Sequence, residues 1–275
     1  MLHIISKALP CLNWQIIYSM ANKKIIMLAT KGLPTNIIYN VLDKCFGVDQ
    51  VIIEEKESAK IFLKRRFKKL GWFTAIGQIL FQFIVVKLLI QFSRKRTKEI
   101  IKLNNLNTKE IPAKKIRSVH SVNDESTLEI IKEINPDLII VCGTRIISKK
   151  LLGTIACRLI NIHAGITPLY RGVHGTYWAL VNNDIENSGV TVHFIDEGID
   201  TGNIIVQGHV GIGGNDNFTT YPLLQLARGV ELLVQSVADY FDNTISIKKV
   251  AGKSKLFYHP TIWEYLYYRV IRKVK

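Results

Sequence analysis

Short apolar runs, separated by stretches with helical periodicity, constrain this chain more than any other feature. A further short strand is read at 116–119; the apolar runs themselves occupy residues 25–29, 51–53, 137–143 and 159–162. Each is too short for a buried helix and has the continuous apolar character of a strand covered on both faces. A turn over residues 30–35, with Gly32 and Pro34, leads into a helix over 36–46. A second helix, capped by Ser121 or Asp124, runs to Ile134 and stops at Asn135-Pro136, and a third precedes residue 159. Residues 189–195 and 204–208 read as later strands, with a hairpin as one way of joining them. Residues 219–239 form a long helix in which Leu223, Leu226, Val230 and Leu233 recur three or four apart. Strands alternating with helices predict an α/β fold built on a doubly wound, mostly parallel sheet.

The chain has 275 residues, 48% of them hydrophobic, enough for one large core or two small ones. Cys11, Cys45, Cys142 and Cys157 show no C-x-x-C spacing, so neither a zinc ribbon nor a disulfide framework is implied, and no metal is expected. The apolar surroundings of Cys45 and Cys142 predict buried thiols. Charge is more informative. Between Lys56 and Arg117 stand 17 Lys and Arg against Glu57, Glu99 and Glu110, a net of +14 out of the chain's +15. An anionic partner (a membrane surface, a nucleic acid or a phosphorylated substrate) is suggested, against the plainer reading of a solvated helical face. Within this segment, residues 72–92 are nearly all apolar and long enough to span a bilayer, with Lys87 the lone charge. Yet they lie between strands of one sheet, which favours a helix packed on the core or lying on a membrane surface. Gln78 and Gln82 fall opposite Lys87 and Gln91, so no clean amphipathic stripe emerges. Residues 1–19 carry no small-residue cleavage site and read as an N-terminal extension, with Met20 an alternative start.

Three side chains stand out chemically. Asn161 and His163 lie two apart at the end of a strand, so both face one side and can meet one ligand at the sheet's carboxyl edge. Asp200 follows the strand 190–195 in a loop flanked by Gly198 and Gly202. Taken singly, each is more often a cap or turn former than a catalyst. The segments around them, Asn161-Ile162-His163-Ala164-Gly165-Ile166-Thr167-Pro168-Leu169-Tyr170-Arg171-Gly172 and Gly189-Val190-Thr191-Val192-His193-Phe194-Ile195-Asp196-Glu197-Gly198-Ile199-Asp200-Thr201-Gly202, resemble the folate-dependent formyltransferases. That superfamily includes glycinamide ribonucleotide, methionyl-tRNA and sugar N-formyltransferases and formyltetrahydrofolate hydrolase.

The resemblance implies a Rossmann-like formyltransferase fold over residues 20–250, with a basic helical insertion at 56–117 and a short basic aromatic helical tail at 251–275. It implies 10-formyltetrahydrofolate as formyl donor, and an amine that attacks its formyl carbon. Asn161 and a protonated His163 would donate to the oxyanion, and Asp200 would raise the His163 pKa and help move the proton. Folate would be held by the loop Gly143, Thr144, Arg145, Ile146 and Ile147 and by the loop Asp196, Glu197, Gly198 and Ile199. Arg145 is alternatively a surface charge, and His193 either supports the catalytic groups or is a satisfied core histidine. The acceptor pocket would be flanked by Arg171 as a phosphate contact, with His174 and Tyr177; Trp178 suits helix-core packing better.

The acceptor is chosen by elimination. Residues 30–36 hold one glycine and a proline where the glycinamide ribonucleotide enzymes carry a Gly/Ser-rich phosphate loop, and 25 residues after Val250 are too few for the RNA-binding barrel of the methionyl-tRNA enzymes. A nucleotide-linked amino sugar is left, for an enzyme working in the cytoplasm or at the inner face of the membrane. Glycinamide ribonucleotide formyl transfer and hydrolysis remain alternatives, as does a non-catalytic basic membrane- or nucleic-acid-binding protein on the same fold. No nucleic-acid-binding motif is recognisable.

Overall fold

In a computed structural model of the protein, residues 22–248, 250 and 252–275 are described. The N-terminal extension and the alternative start at Met20 lie outside them, as does Cys11. Seven strands form the main sheet in the order β3-β2-β1-β4-β5-β7-β8. These are β1 (Ile25–Thr30), β2 (Gln50–Glu54), β3 (Ile116–Val119), β4 (Leu138–Cys142), β5 (Arg158–His163), β7 (Gly189–Phe194) and β8 (Ile204–His209). A separate two-residue strand, β6 (Arg171–Gly172), pairs with β9 (Leu256–Phe257). Strands β1 to β5 of the main sheet are parallel, and the order reverses between β1 and β4. The last two strands run the other way in turn: β7 is antiparallel to β5, and β8 to β7, as a hairpin. The fold is thus the doubly wound, mostly parallel α/β sheet that the alternating apolar runs predict.

Each strand alternates its side chains between two helical layers. Met27, Ile140 and Ile160 face helices α1 (Leu33–Cys45) and α7 (Tyr221–Phe241), together with Ile100 at the end of helix α3 (Trp72–Leu103). Leu28, Ile139 and Leu159 face helices α4 (Glu125–Ile134) and α5 (Lys149–Thr154). Asn161 and His163 continue the Leu159 face, just where the cover of α4 and α5 ends and loops take over. The cysteines depart from expectation: Cys45, Cys142 and Cys157 are only partly buried, because each sits at or beyond an element's end.

A third cluster is aromatic and joins the basic segment to the rest. Helix α2 (Ala59–Leu70) precedes α3, and the C-terminal helix α8 (Ile262–Ile271) packs across α3. Helix α3 is interrupted by a π turn at Phe81–Val86. Phe81, fully buried, lies 4.8 Å from the Phe218 ring and 5.2 Å from Tyr265. Close approach of α3 and α8 requires Gly77, because a Cβ there would collide with the Trp263 ring. Replacing Phe81 with alanine leaves a cavity at this junction and is expected to cost about 3–5 kcal/mol in equilibrium urea unfolding. A loss below about 1 kcal/mol would show that the aromatic cluster does not hold the segment to the domain.

Candidate active site

The site grows from a cross-strand pair. Asn161 on β5 lies opposite His193 on antiparallel β7. Directly opposed residues share a face, and the Asn161 Nδ2 group donates to His193 Nε2 at 3.2 Å. His193 Nδ1 in turn donates to the Phe194 carbonyl at 2.7 Å, which fixes the tautomer that leaves Nε2 as acceptor. His163, two residues beyond Asn161, lies on the same face. Its Nε2 donates to the Tyr170 carbonyl at 2.8 Å, a contact that needs Gly165, since a Cβ there would collide with both partners.

The loop joining β7 to β8 folds back over this face and delivers Asp200. Its shape follows from local chemistry. Asp196 Oδ1 accepts from the Gly198 N–H at 3.0 Å and from the Thr201 hydroxyl at 2.6 Å, while a Cβ at Gly202 would collide with the Phe194 carbonyl. Asp200 itself adopts a left-handed φ of 51°, a conformation that Asp tolerates better than most residues. Its Oδ2 accepts from the Gly172 N–H at 2.9 Å and lies 3.3 Å from His163 Nδ1, and its Oδ1 lies 3.7 Å from His193 Nε2. Arg171 clamps the same loop by donating to the Ile199 carbonyl at 2.9 Å.

Burial works to raise the Asp200 pKa, but the His193 ring, the His163 ring and the Gly172 N–H outweigh it, so the carboxyl is held below its ordinary value and stays ionised. His163 goes the other way from expectation. Burial lowers its pKa by more than Asp200 and the Tyr170 carbonyl raise it, so the resting ring is neutral near pH 7. With Nε2 committed to Tyr170, the bare Nδ1 faces the carboxylate. A proton taken up by this ring would therefore sit at Nδ1, between His163 and Asp200.

These groups line a cavity of about 410 Å³, within the size range of small-molecule sites. Its walls include Gly143, Thr144, Arg145, Ile146 and Ile147 from the loop after β4, and Asp196, Gly198 and Ile199 from the loop carrying Asp200. Arg145 is no loose surface charge. It donates to the buried Glu54 carboxylate through its backbone N–H at 2.8 Å and its guanidinium at 3.1 Å, pinning the wall to the end of β2. A second cavity of about 280 Å³ adjoins the first, with Asp200 on the wall of both. Arg171 and Lys248 supply its cationic lining.

A family model described as formyl transferase matches residues 84–237, more than half of the chain. The chain belongs to the formyl transferase family. It is 32% identical over 133 residues to the methionyl-tRNA formyltransferase of Thermodesulfovibrio yellowstonii, covering 48% of this chain and 43% of that protein. With the Clostridium beijerinckii methionyl-tRNA formyltransferase it shares 37% identity over 118 residues, covering 42% and 37%. The chain therefore spans about two fifths of the length of these curated relatives. Among solved structures, a 4-N formyltransferase from Francisella tularensis superposes with a TM-score of 0.54 at 19% identity, covering 86% of this chain and 76% of that one. Phosphoribosylglycinamide formyltransferase from Streptococcus pneumoniae gives 0.51 at 22%, covering 80% and 99%. These two share the fold.

Three residues expected to touch ligands in this formyl transferase lie elsewhere. Tyr177 is 1% exposed, packed among Trp178, Phe218 and Tyr265, because helix α6 (Gly175–Val181) turns its aromatic face into the third cluster. His174 sits against the Phe218 ring at 4.1 Å, with its Nε2 3.0 Å from His259 Nδ1. Glu197 points outward from its loop and pairs with Lys149. Trp178 packs in the core as expected, with its Nε1–H donating to the Tyr258 carbonyl. Conversely, the Tyr170 carbonyl and the Gly172 N–H escaped sequence reasoning as partners of His163 and Asp200, because backbone groups carry no chemical signature, while Val173, expected in the segment beside the acceptor, lines the first cavity.

Three buried histidines give the fold a pH dependence. Burial lowers His163 and, with the His259 charge, takes His174 well below its ordinary value; burial and the Arg66 charge push His259 down to about 4. In the unfolded chain these groups titrate near 6.5, so the unfolded state binds protons first as pH falls. Their stabilisation is complete above pH 6.5 and declines towards pH 4. The urea midpoint is expected to drop between pH 7 and pH 5, and His259→Asn to shrink that drop. Equal midpoints for the wild type at both pH values would contradict these protonation states.

Proposed function

We propose that this protein transfers a formyl group from 10-formyltetrahydrofolate to a primary amine, with Asn161, His163 and Asp200 as its catalytic residues. The observation that carries the reading is their convergence on one cavity, with His163 Nδ1 3.3 Å from Asp200 Oδ2. The cavity suits a folate: Ile146, Ile147 and Ile195 offer apolar walls, and the backbone of residues 143–145 and 196–199 offers polar edges.

The division of labour follows from which hydrogens are free. The His163 Nε2 hydrogen is spent on the Tyr170 carbonyl, and Nδ1, bare at rest, has none to give. Asn161 spends one amide hydrogen on His193 and keeps the other. Asn161 is therefore the donor to the oxyanion that forms when the amine lone pair attacks the formyl carbon and the carbonyl π pair moves onto oxygen. We assign His163 a role other than the expected second donor to this oxyanion. His163 Nδ1, neutral at rest and backed by the carboxylate, receives the proton that the new ammonium must lose. As the carbon–nitrogen bond to the folate breaks, that proton is returned to the leaving nitrogen.

We assign the acceptor amine to the second cavity, on the other side of Asp200, where Arg171 and Lys248 suit an anionic group. A nucleotide-linked amino sugar fits that chemistry best. Helix α1 begins with Gly32 as its cap and Pro34 in its first turn, which leaves fewer free backbone N–H groups for a phosphate than a Gly/Ser-rich loop would. Removing the oxyanion donor by Asn161→Ala is expected to lower kcat by about 10²–10³-fold, and Asp200→Asn to lower it at least as far. Turnover near wild type in Asp200→Asn at saturating substrate would overturn the assignment. An acceptor panel of amino-sugar nucleotides, glycinamide ribonucleotide, methionyl-tRNA and no acceptor resolves the substrate; folate product without acceptor would identify a hydrolase.

A further inference from the structure

Helix α3 is apolar on its outer side as well as on the side anchored by Phe81. The side it turns to the protein carries Gln78, Gln82, Ser93 and Arg96, and each is satisfied there. Gln78 accepts from Arg66 Nε at 2.7 Å, Gln82 donates to His259 Nδ1 at 3.0 Å, Ser93 accepts from Asn217 at 2.7 Å, and Arg96 donates to Asp216 at 2.7 Å. The opposite side presents Trp72, 70% exposed, Phe83, 63%, and Phe92, 81%, with Leu88 and Ile90 exposed between them. A helix whose outer side faces only water carries polar side chains there. Of the helix's most apolar window, only 22% is buried.

The apolar face continues onto neighbouring helices. On α8, which packs against α3 with Trp263 stacked on Phe73 at 4.2 Å, Tyr267, Val270 and Ile271 are exposed. A patch of this kind marks a surface that something else covers.

Charge decides what covers it. From residue 58 to residue 98 there is no acidic side chain. Lys64, Arg65, Lys68 and Lys69 are exposed before the apolar stretch, and Arg94, Lys95 and Lys98 after it. Lys87, midway, lies over the Phe83 ring at 5.0 Å, its stem along the apolar face. A second copy seated on this face would set two such basic segments against each other. A nucleic acid would pair with the charges and leave the Phe and Leu side chains uncovered.

We infer that the outer face of α3, continued by α8, docks this protein in the plane of an anionic lipid bilayer. Trp72 to Phe92 then lie about 30 Å along the interface, with the aromatic and aliphatic side chains in the acyl boundary and the basic clusters on the headgroups. The helix does not cross the bilayer, because its other side is bonded to the catalytic domain.

Flotation of the full chain with phosphatidylglycerol–phosphatidylcholine vesicles and with pure phosphatidylcholine vesicles tests this. At low salt the anionic vesicles are expected to bind at least tenfold more protein, and high salt to release much of it. Phe83→Ser/Leu88→Ser/Phe92→Ser, at exposed positions away from the active cavity, is expected to weaken binding at least tenfold with formyl transfer in solution unchanged. Brominated lipid is expected to quench Trp72 fluorescence, measured as the difference from Trp72→Phe. Wild-type protein that stays unbound, a triple variant that binds as well as wild type, or unquenched Trp72 would each overturn the inference. So would a dimer that the triple variant abolishes while vesicles go unbound.

Discussion

Asp200 is a carboxylate largely withdrawn from water, and the site depends on how it is kept charged there. An ionised group in such a place needs partners: the Gly172 N–H on β6 donates to Asp200 at 2.9 Å, and the His163 ring on β5 and the His193 ring on β7 lie 3.3 and 3.7 Å away, where a proton on either ring would be shared with it. Those same contacts hold the long β7–β8 connection against the sheet, so the residue proposed to serve the chemistry also closes the fold around it. The Asp200 side chain is 14% exposed, which leaves it in reach of both cavities without exposing it fully to water. Neutral His163 beside it is the complement. Burial favours one charge over two in this space, and the pair is left able to accept one proton.

Much of this was legible in the sequence, for identifiable reasons. Period-two spacing placed Asn161 and His163 on one face, and apolar runs joined by helices gave the sheet. Both follow from local geometry that does not depend on distant partners. The hairpin of β7 and β8 was readable as two strands. That its antiparallel run puts His193 opposite Asn161 required the register. His174 and Tyr177 directly follow the Arg171-Gly172 segment, but where they pack is not readable from that. Their surroundings are Phe218, His259 and Tyr265, brought in from far along the chain to form a cluster that no spacing rule announces. The charge state of His163 is not legible in the sequence for a related reason. Proximity to a carboxylate can be inferred from motifs, whereas the depth of burial that outweighs it cannot.

Helix α3 shows the same limit from the other direction. Its glutamines and its lysine fall on opposite sides of a helical wheel, which reads as no pattern at all. The pattern appears only when the inward glutamines meet Arg66 and His259 and the outward face is seen to be aromatic and aliphatic. Gln78 and Gln82 both converge on His259, which also meets the His174 ring. The basic segment is thus joined through one imidazole to the residues that follow β6, where Gly172 holds Asp200.

The account turns on a neutral His163 with its hydrogen on Nε2, beside an ionised Asp200. Nitrogen-detected NMR of the histidine-labelled protein, titrated from pH 8 to pH 5, reads this directly. The account predicts a His163 signal at pH 7 with Nε2 protonated and Nδ1 bare, becoming charged only below the ordinary histidine range. A ring protonated on both nitrogens at pH 7 would contradict it.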